Sequence, residues 1–569
     1  MEERRLLLAV ALSLLVVTAY QMFVRPLIFP PQPVPVASAS PQAGAPAPSS
    51  PAQASAAPAP VASAPVPAPQ AVAATPVPAV ADERERRVEV TTAEAEIAFT
   101  NKGARPVAWK LSKYTDGKGE AEDMVHVRLE GPRALDFETG DPQIDETLRG
   151  ALFLASSESL TTAPGRSARL TFRYADASVQ AEKTLVFGPE PFLVRALGRV
   201  TKDGRVLPVR LVWGPGLGRP DAEELSVQGH HAAQAVLRHD GDGSVERLEA
   251  AKHAERREIP GLRWAGVENT YFAALLVPSP SNASAAVSAV KLPEAEAGGA
   301  PWSPIVAVGL PADEPLTLFV GPKDHHLLAG LGHDLQAVVP VGDWIGPIVV
   351  ALLGGLRWAH GLVGNYGWAI ILLTVLISLV MAPFRHYSIV NGLKMAKLAP
   401  EMKVIQDRYR KVPLMERQQM QEEINALYAK HGMNMGTQMM VGCLPMLLTM
   451  PFFFAFYRML SVSIDLRGAA FLWMPDLSHK DPLYLTPILM GASMVAMARL
   501  TPIADPSQRR LQMLMPLIFV TFLFAAPAGL NVYWLVSNLC GIAQQLATTS
   551  VMQRASSAGG APARKPRRA

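Results

Sequence analysis

The chain has 569 residues, a formal net charge of +4 and two cysteines. This length exceeds one globular core and is enough for two or three domains. The small net charge argues against a nucleic-acid-binding fold across the whole molecule. Both cysteines, Cys443 and Cys540, lie in apolar stretches that read as membrane helices, so the sequence offers no disulfide framework.

The N-terminus, residues 1–25, carries Arg4 and Arg5 directly before an apolar run from Leu6 to Val24. At about 1.5 Å rise per residue the run extends about 28 Å, enough to cross the hydrocarbon core of a bilayer. We therefore predict an N-terminal transmembrane anchor over residues 1–25. The alternative is a cleaved signal peptide, which has a small-x-small site close behind its apolar region, whereas the nearest such site here is at 37–39.

A linker dominated by Pro, Ala, Val, Ser and Gln is predicted over residues 26–81. It lacks the large apolar side chains that would offset the entropy lost on ordering, so we expect it to be disordered. Proline keeps such a chain extended, which lets the next domain stand away from the membrane. A docking peptide for another protein is the alternative.

Residues 82–336 are predicted to form a soluble β-sandwich domain. Short runs alternate between apolar and polar residues, which is typical of half-buried strands, and Asp-Gly pairs supply turns between them. The histidine pairs at 230–231 and 325–326 lack metal-ligand spacing and are expected at the surface. Because no nucleophile, base and orienting group stand out together, we expect the domain to bind or to scaffold rather than to catalyse.

Five apolar segments in the C-terminal part of the chain predict five further transmembrane helices. They are expected at 355–382, 439–460, 484–500, 511–526 and 529–546. Before the first of them, residues 343–360 mix tryptophan and aliphatic residues with glycines. This pattern predicts an amphipathic helix that lies along the outer membrane interface.

Charge decides the orientation of these spans. The segments 385–436, 499–510 and 550–569 are rich in lysine and arginine, whereas the loop 461–482 has two basic residues against three aspartates. By the positive-inside rule the basic segments are cytoplasmic. Together with the N-terminal anchor this predicts six transmembrane helices, cytoplasmic termini, and residues 26–342 outside the cytoplasm.

The basic segment 385–436 has a helical pattern. Apolar residues recur at three- to five-residue steps on both sides of a break at Val412-Pro413, which predicts two antiparallel helices. This hairpin is either a solvated connector or a docking arm, and with the basic tail it is a candidate contact for the ribosome or for anionic lipid. The candidate contact residues are Arg408, Arg410, Lys411, Arg564, Lys565, Arg567 and Arg568.

Several runs in fixed order resemble the YidC family of membrane protein insertases. In the membrane helices they are Gly364-Asn-Tyr-Gly-Trp-Ala-Ile-Ile, Gly442-Cys-Leu-Pro-Met-Leu-Leu-Thr-Met-Pro, Asp481-Pro-Leu-Tyr-Leu-Thr-Pro-Ile-Leu-Met-Gly and Ala528-Gly-Leu-Asn-Val-Tyr-Trp-Leu-Val-Ser-Asn-Leu. The soluble domain adds Gly261-Leu-Arg-Trp-Ala-Gly-Val-Glu-Asn-Thr-Tyr-Phe and Leu318-Phe-Val-Gly-Pro-Lys. The resemblance covers almost the whole chain except the linker.

The resemblance implies a multi-domain protein of the inner membrane, with an anchor helix, a periplasmic β-sandwich domain, a five-helix insertase core and a cytoplasmic antiparallel helical hairpin. Its implied function is to insert and help fold integral membrane proteins, with lipoproteins as further candidates, through a hydrophilic groove. The implied mechanism is not enzymatic and uses no nucleotide or other cofactor. The implied partners are nascent membrane proteins, the Sec translocon, the ribosome and the phospholipid bilayer, and the implied state is a monomer that acts alone or with the translocon.

The family usually carries an arginine in the groove, on the first helix of the core and one turn after a threonine. Thr374 matches the threonine, but Ser378 stands at the arginine position. Arg458 on the next helix either supplies a charge to the groove or extends to the outer interface. Arg385 lies nearer the cytoplasmic edge and is expected to anchor the helix at the interface.

Further groove residues are carried over from the family by position. They are Met450, Phe453, Asn531, Tyr533, Trp534 and Asn538. Packing between helices is the rival role for the aromatic residues and for Met450. Hydrogen bonding between helices is the rival role for the two asparagines.

Two other functions are compatible with a membrane-bound chain. A secondary transporter often has an internal repeat, and five unequal helices after a large soluble domain show none. A tethered enzyme or binding domain outside the cytoplasm needs only one anchor. That second alternative leaves five further spans with asparagine and glutamine inside them unexplained.

Overall fold

The computed structural model describes residues 79–125, 131–163, 165–219, 221–252, 255–279, 283–311, 314–409, 417–431, 450–501 and 506–558. The anchor predicted at 1–25 and nearly all of the linker lie outside the described residues, as does the predicted start of the helix at 439–460. The candidate contacts that also lie outside are Arg410, Lys411, Arg564, Lys565, Arg567 and Arg568.

The first part of the described chain is rich in β-strands, as the alternating pattern predicts. Its strands are Arg87–Thr91 (β1), Ala95–Thr100 (β2), Arg105–Thr115 (β3), Ala121–Asp123 (β4), Phe137–Glu138 (β5), Leu154–Ala155 (β6), Ser159–Thr161 (β7), Ala168–Ala175 (β8), Val179–Phe187 (β9), Leu193–Lys202 (β10), Arg205–Leu207 (β11), Val209–Trp213 (β12), Gln234–His239 (β13), Val245–Leu248 (β14), Arg257–Glu268 (β15), Phe272–Val277 (β16), Ala283–Lys291 (β17), Trp302–Leu310 (β18) and Leu316–Pro322 (β19).

The helices are Pro142–Gly150 (α1), Ala222–Leu225 (α2), Glu294–Ala297 (α3), His325–Leu331 (α4), Gly346–Val363 (α5), Tyr366–Arg408 (α6), Arg417–Lys430 (α7), Met450–Val462 (α8), Leu485–Leu500 (α9), Pro506–Leu523 (α10) and Ala528–Ala558 (α11). Short 3-10 turns occur at Ala250–Lys252, Leu335–Val338 and Ile464–Leu466. We call β1–β19 with α1–α4 the β-rich domain, and α5–α11 the helical unit.

The strands of the β-rich domain form two sheets. One has the order β4-β3-β2-β1-β7, and the other follows the path β5-β12-β18-β17-β15-β16-β19-β10-β9-β8-β6, with β11, β13 and β14 paired beside it. The pairing is antiparallel except between β1 and β7. Within β9 the buried side chains alternate with less buried ones along most of the strand, as expected where one face covers a core.

The two sheets share one hydrophobic core. Phe99 on β2 packs against Phe172 on β8 with ring centroids 5.9 Å apart, and Trp109 on β3 packs against Trp213 on β12 at 5.8 Å. The opposite face of the larger sheet carries Trp264 and is covered by the turn and helix that follow β19. Each aromatic pair joins a strand of one sheet to a strand of the other, so the domain folds around apolar contacts between sheets.

The predicted boundary between the interfacial helix at 343–360 and the span at 355–382 is wrong. Helix α5 continues to Val363 and ends at Gly364, whose φ of 69° is the left-handed conformation that glycine adopts readily. Asn365 then caps α6, because its side chain accepts hydrogen bonds from the amides of Gly367 and Trp368. The apolar run continues across this break, so hydropathy alone does not reveal it.

The other helix bounds also differ from the predicted ones. Helix α6 runs for 43 residues and continues far beyond 382, with Pro383 and Pro400 inside it. Helix α11 extends to Ala558 rather than ending at 546, because the helix continues past the end of the apolar stretch. Among the described residues, α5 and α6 have the length and composition to cross a membrane, and shorter apolar helices occur at α8, α9 and Gln512–Leu523.

Candidate functional site

A cavity of about 590 Å³ lies between α6, α8, α9 and α11. Its lining is divided between polar groups and flexible or aromatic apolar groups. The lining residues are Arg385, Ser388, Ile389, Gly392, Met450, Phe453, Met497, Thr501, Ser537, Asn538, Gly541, Gln544 and Gln545. This volume is in the range of cavities that hold ligands, and here it can contain several side chains of another polypeptide.

The amide side chains along α11 are held by neighbouring helices. The amide nitrogen of Asn538 donates to the hydroxyl of Ser493 on α9 at 3.0 Å, and that of Gln544 donates to the carbonyl oxygen of Ala382 on α6 at 2.5 Å. Hydrogen bonds of this kind fix helices against each other in an apolar surrounding. Asn538 therefore links two helices and also lines the cavity, and its contact with a substrate stays a prediction.

The residues predicted at the centre of the groove lie outside this cavity's lining. Thr374 is buried, and its hydroxyl donates to the carbonyl oxygen of Ile370 in its own helix at 2.6 Å. Ser378 is also buried, with 8 % of its surface exposed. A threonine that bonds back to its own helix needs no water, so Thr374 belongs to the packed part of α6, and the burial of Ser378 places it there too.

The aromatic residues of α11 take the packing role. Tyr533 stacks on Phe456 with ring centroids 4.4 Å apart and an interplanar angle of 7°, and Trp534 stacks on Phe453 at 5.6 Å and 5°. Asn531 is fully buried and donates to the carbonyl oxygen of Leu523 at 3.2 Å. Of this set, Phe453 is the residue that reaches both the helix packing and the cavity.

The hypothesis that Arg458 supplies charge to the groove is contradicted by its position. Its guanidinium donates to the carbonyl oxygen of Pro340, in the segment that joins the β-rich domain to α5. The other alternative, an extension toward the outer end of the helices, agrees with this contact. Arg385 lines the cavity, and its role as an interface anchor stays a prediction.

Ion pairs join the β-rich domain to the helical unit. The composition of the sequence does not reveal these pairs. Arg467, in the loop between α8 and α9, binds Glu122 at 2.7 Å and Glu224 at 2.9 Å, and its side chain is 5 % exposed. Arg357 on α5 binds Asp324 at 2.7 Å and Asp465 at 2.9 Å. Each arginine thus forms ion pairs with two acidic residues that lie in separate segments of the chain.

One histidine pair lies at this junction rather than at the surface. The ring nitrogen Nε2 of His230 is 3.0 Å from the hydroxyl of Tyr271, and its ring centroid is 6.4 Å from that of His479 in the loop after α8. Burial lowers the pKa of His230 to about 4 and also lowers the pKa of His231. The surface prediction for this pair is wrong because the loop 463–484 covers it.

The fold and the cavity together define an integral membrane protein with a large β-rich domain outside its helices. Residues 358–555 match the family model described as 60Kd inner membrane protein, and residues 87–354 match the model of the YidC periplasmic domain. The chain therefore belongs to the YidC family of membrane protein insertases, and it is an inner membrane protein.

Three curated relatives show the extent of this similarity, and each carries the name membrane protein insertase YidC. The protein of Syntrophus aciditrophicus is 30 % identical over 468 residues, which are 80 % of this chain and 83 % of the relative. The protein of Geobacter sulfurreducens is 33 % identical over 70 % of this chain and 73 % of its own length. The protein of Geobacter sp. strain M21 is 39 % identical over 40 % of this chain and 41 % of its own length.

Proposed function

We propose that this protein inserts integral membrane proteins into the inner membrane and helps them to fold, without enzymatic chemistry. The observation that carries the proposal is the cavity among α6, α8, α9 and α11, to which α11 contributes polar side chains and α8 contributes Met450 and Phe453. A polar group in hydrocarbon without a partner costs several kcal/mol, so a polar wall lowers the barrier for a segment that must cross. Burial of the substrate's apolar helix in lipid then drives the reaction without a nucleotide.

The polar side chains on α11 and the apolar side chains on α8 suit the polar segment and the apolar helix of a substrate. Asn538 and Gln544 present amides that hydrogen-bond a polar segment, and Ser537 adds a hydroxyl beside them. Opposite them, Met450 and Phe453 offer a deformable and an aromatic surface to an apolar helix. We propose that Thr374, Ser378, Asn531, Tyr533 and Trp534 support these walls by packing rather than by touching the substrate.

We propose six transmembrane helices with cytoplasmic termini and a periplasmic β-rich domain. The side chains of Trp344, Trp358 and Trp368 are 67 %, 56 % and 52 % exposed near the outer ends of α5 and α6. Exposed tryptophans of this kind are typical of a membrane interface. Helix α5 fits an outer interfacial position, because Arg357 on it pairs with acidic residues of the β-rich domain and of an outer loop.

We propose that the end of α6 and helix α7 form a cytoplasmic docking arm. Leu398 of α6 packs with Ile424 and Tyr428 of α7 in a small separate cluster. Arg408 pairs with Glu423 at 3.0 Å, so part of its charge is compensated within the arm. The proposed partners of this arm and of the basic tail are the ribosome and anionic lipid, and the Sec translocon is a further proposed partner of a monomeric protein.

The function is tested with purified full-length protein in liposomes and a short single-span substrate. We expect the protein to increase the protease-protected fraction of the substrate well above that in protein-free liposomes. Equal protection in both would contradict an insertase.

The cavity is tested by disulfide cross-linking in a background where Cys443 and Cys540 are replaced by serine. A substrate arrested during insertion carries one cysteine in its polar segment. Ser537 lines the cavity, so Ser537→Cys should cross-link to the substrate cysteine. Leu539 on the same helix is 51 % exposed and is not a lining residue, so Leu539→Cys should not cross-link. Equal cross-linking at the two positions would mean that the substrate passes outside the cavity.

A further inference from the structure

Strands β8, β9 and β10 carry a cluster of arginines on the side that faces away from the core shared by the two sheets. The antiparallel register places Arg173, Glu182 and Arg199 side by side across the three strands. Four residues along the strands, Arg169 and Arg195 form a second row. From the usual spacing of strands and of residues along them, the four arginines mark the corners of a rectangle of about 10 by 13 Å. We call these arginines and the residues between them the basic face.

The basic face borders a cavity of about 650 Å³. Arg169, Arg173 and Arg199 line this cavity, and Thr184 and Thr201 add hydroxyl groups beside them. Its volume is in the range of sites that hold ligands. The β-rich domain thus has a polar, positively charged cavity of its own, separate from the cavity among the helices.

The positive charge of the basic face is only partly balanced by the domain itself. Glu182 is the one carboxylate in the sequences of β8, β9 and β10, and it lies 3.5 Å from Arg173 with both side chains about half exposed or more. Arg195 pairs with Glu190 in the loop before β10, also at 3.5 Å and exposed. Exposed ion pairs of this length contribute little to stability, so an anion from solution can compete for these guanidinium groups.

The linker reaches the edge of this cavity but does not carry the opposite charge. Val80 lines the cavity, and its backbone pairs with that of Ala175 at the end of β8 through hydrogen bonds of 2.9 and 2.7 Å. The preceding linker residues 26–79 contain neither aspartate nor glutamate. Charge complementarity therefore points to a second molecule rather than to the linker.

The side chains of the basic face indicate the chemistry of that molecule. Strand β9 pairs with β8 on one side and with β10 on the other along most of its length, so a ligand above it meets side chains only. Interfaces between proteins usually have an apolar, often aromatic centre. Here the centre is formed by Thr171 and Thr184, whose hydroxyl oxygens are 3.1 Å apart. Hydroxyls flanked by guanidinium groups fit a ligand that carries both hydroxyl and acid groups, as sugars with carboxylates do.

The direction of the strands favours a polymer over the lipid surface. Phe272 at the start of β16 lies 5.1 Å from the guanidinium of Arg467 in the helical unit. Strand β19 ends beside Phe272, and β10 pairs with β19 from Leu193 onward and runs away from this junction. Arg199 lies six residues further along β10, which is about 20 Å. A polymer outside the membrane reaches both rows of arginines, whereas a bilayer around the helical unit reaches the nearer row first.

We propose that the basic face binds an acidic polysaccharide in the compartment outside the membrane. The arginines bind its acid groups, and the threonine hydroxyls between the two rows bind its sugar hydroxyls. This inference goes beyond the proposed insertion activity and rests only on the proposed outer position of the β-rich domain. It gives the protein a contact with polymers around the membrane, at a site that the substrate cavity does not share.

The test measures binding of polygalacturonate, a linear sugar polymer with one carboxylate per unit, to the full-length protein in neutral detergent by titration calorimetry. The double variant Arg169→Gln/Arg199→Gln should bind it about three- to tenfold more weakly, the range for the loss of two exposed ion pairs. The matched control Arg84→Gln/Arg87→Gln removes the same charge from two exposed arginines at β1 and should leave binding unchanged. Polyglutamate of the same length should bind much more weakly to the unmodified protein.

Four results would overturn the proposal. They are no binding of polygalacturonate, equal losses in the two double variants, polyglutamate binding as tight as that of polygalacturonate, and displacement by glycerol phosphate where sodium chloride of the same ionic strength has no effect. The third would assign the basic face to an acidic protein segment, and the fourth to lipid headgroups. Insertion by Arg169→Gln/Arg199→Gln should match that of the unmodified protein, which shows that the variant folds and keeps this test separate from that of the proposed function.

Discussion

The guanidinium of Arg467 and the carboxylate of Glu122 form a buried ion pair of 2.7 Å that joins the helical unit to the β-rich domain. The same guanidinium binds Glu224 at 2.9 Å and lies over the ring of Phe272 at 5.1 Å. Two carboxylates of the β-rich domain therefore depend on one cation from the loop between α8 and α9. This arrangement leads to the first two predictions.

Arg467→Met should weaken the junction strongly. It leaves Glu122 and Glu224 in a buried site without their counter-ion, and the loss of one partner from a buried ion pair costs about 3–5 kcal/mol. Hydrogen exchange of the full-length protein should show faster exchange in β4 and in the loop 463–484. Arg173→Met is the matched control, because its pair with Glu182 is 3.5 Å long and exposed. Similar exchange in both variants would show that Arg467 does not hold the junction.

Glu122 should make the junction sensitive to pH. Burial raises the pKa of Glu122 from 4.5 to about 7, although Arg467 opposes this change. The folded state therefore binds more protons than the unfolded state, and this contribution to stability decreases as the pH rises from about 4.5 to about 7. Glu122→Gln should remove that decrease. Melting temperatures at pH 5 and pH 8 test it, and a parallel pH dependence of the two proteins would contradict it.

Asn538 and Asn531 should differ in their effect on insertion. Asn538→Leu removes an amide from the cavity wall and the bond to Ser493, so we expect slower insertion of substrates with polar translocated segments. Asn531→Leu removes a fully buried amide that donates to the carbonyl oxygen of Leu523, so we expect it to lower stability by about 1–3 kcal/mol without a selective effect on substrates with polar segments. Insertion rates in liposomes measure both variants. Equal rates for the two would remove Asn538 from the substrate path.

Arg458→Gln should not change the preference for acidic substrates. The guanidinium contacts Pro340 in the segment before α5, and Arg458 is not among the residues that line the cavity. Two substrates that carry aspartate or asparagine should therefore keep the same ratio of insertion rates as with the unmodified protein. A change in the ratio of the insertion rates of the two substrates, which differ only by aspartate or asparagine in the translocated segment, would place Arg458 in the substrate path after all.

Local patterns predict the β-rich character and the apolar helices well. The strand over Val179–Phe187 follows from alternation alone, and the family resemblance follows from runs such as the one that begins at Gly364. The break at that same glycine escapes prediction, because it depends on the backbone turn and on the Asn365 cap within an unbroken apolar stretch.

The direction of individual side chains is less accessible from sequence, because it depends on how helices rotate against each other. The sequence leaves two positions open for Arg458, and only packing shows that it contacts Pro340, whereas Arg385 lines the cavity. His230 is similar, since the loop that covers it is distant in sequence. In the sequence, Arg467 lies close to aspartates of its own loop, which suggests that it pairs with them. Its partners in the structure lie instead in the β-rich domain.

The lack of carboxylates in 366–400, 450–462, 485–500 and 506–558 has a consequence for segments of the opposite sign. A lysine or arginine that enters from a substrate finds no counter-ion on these helices and loses its hydration without compensation. It also meets the like charge of Arg385, which lines the cavity. If the cavity is the substrate path, we expect basic flanks of a substrate to stay on the cytoplasmic side, and this preference would set the orientation of the inserted protein.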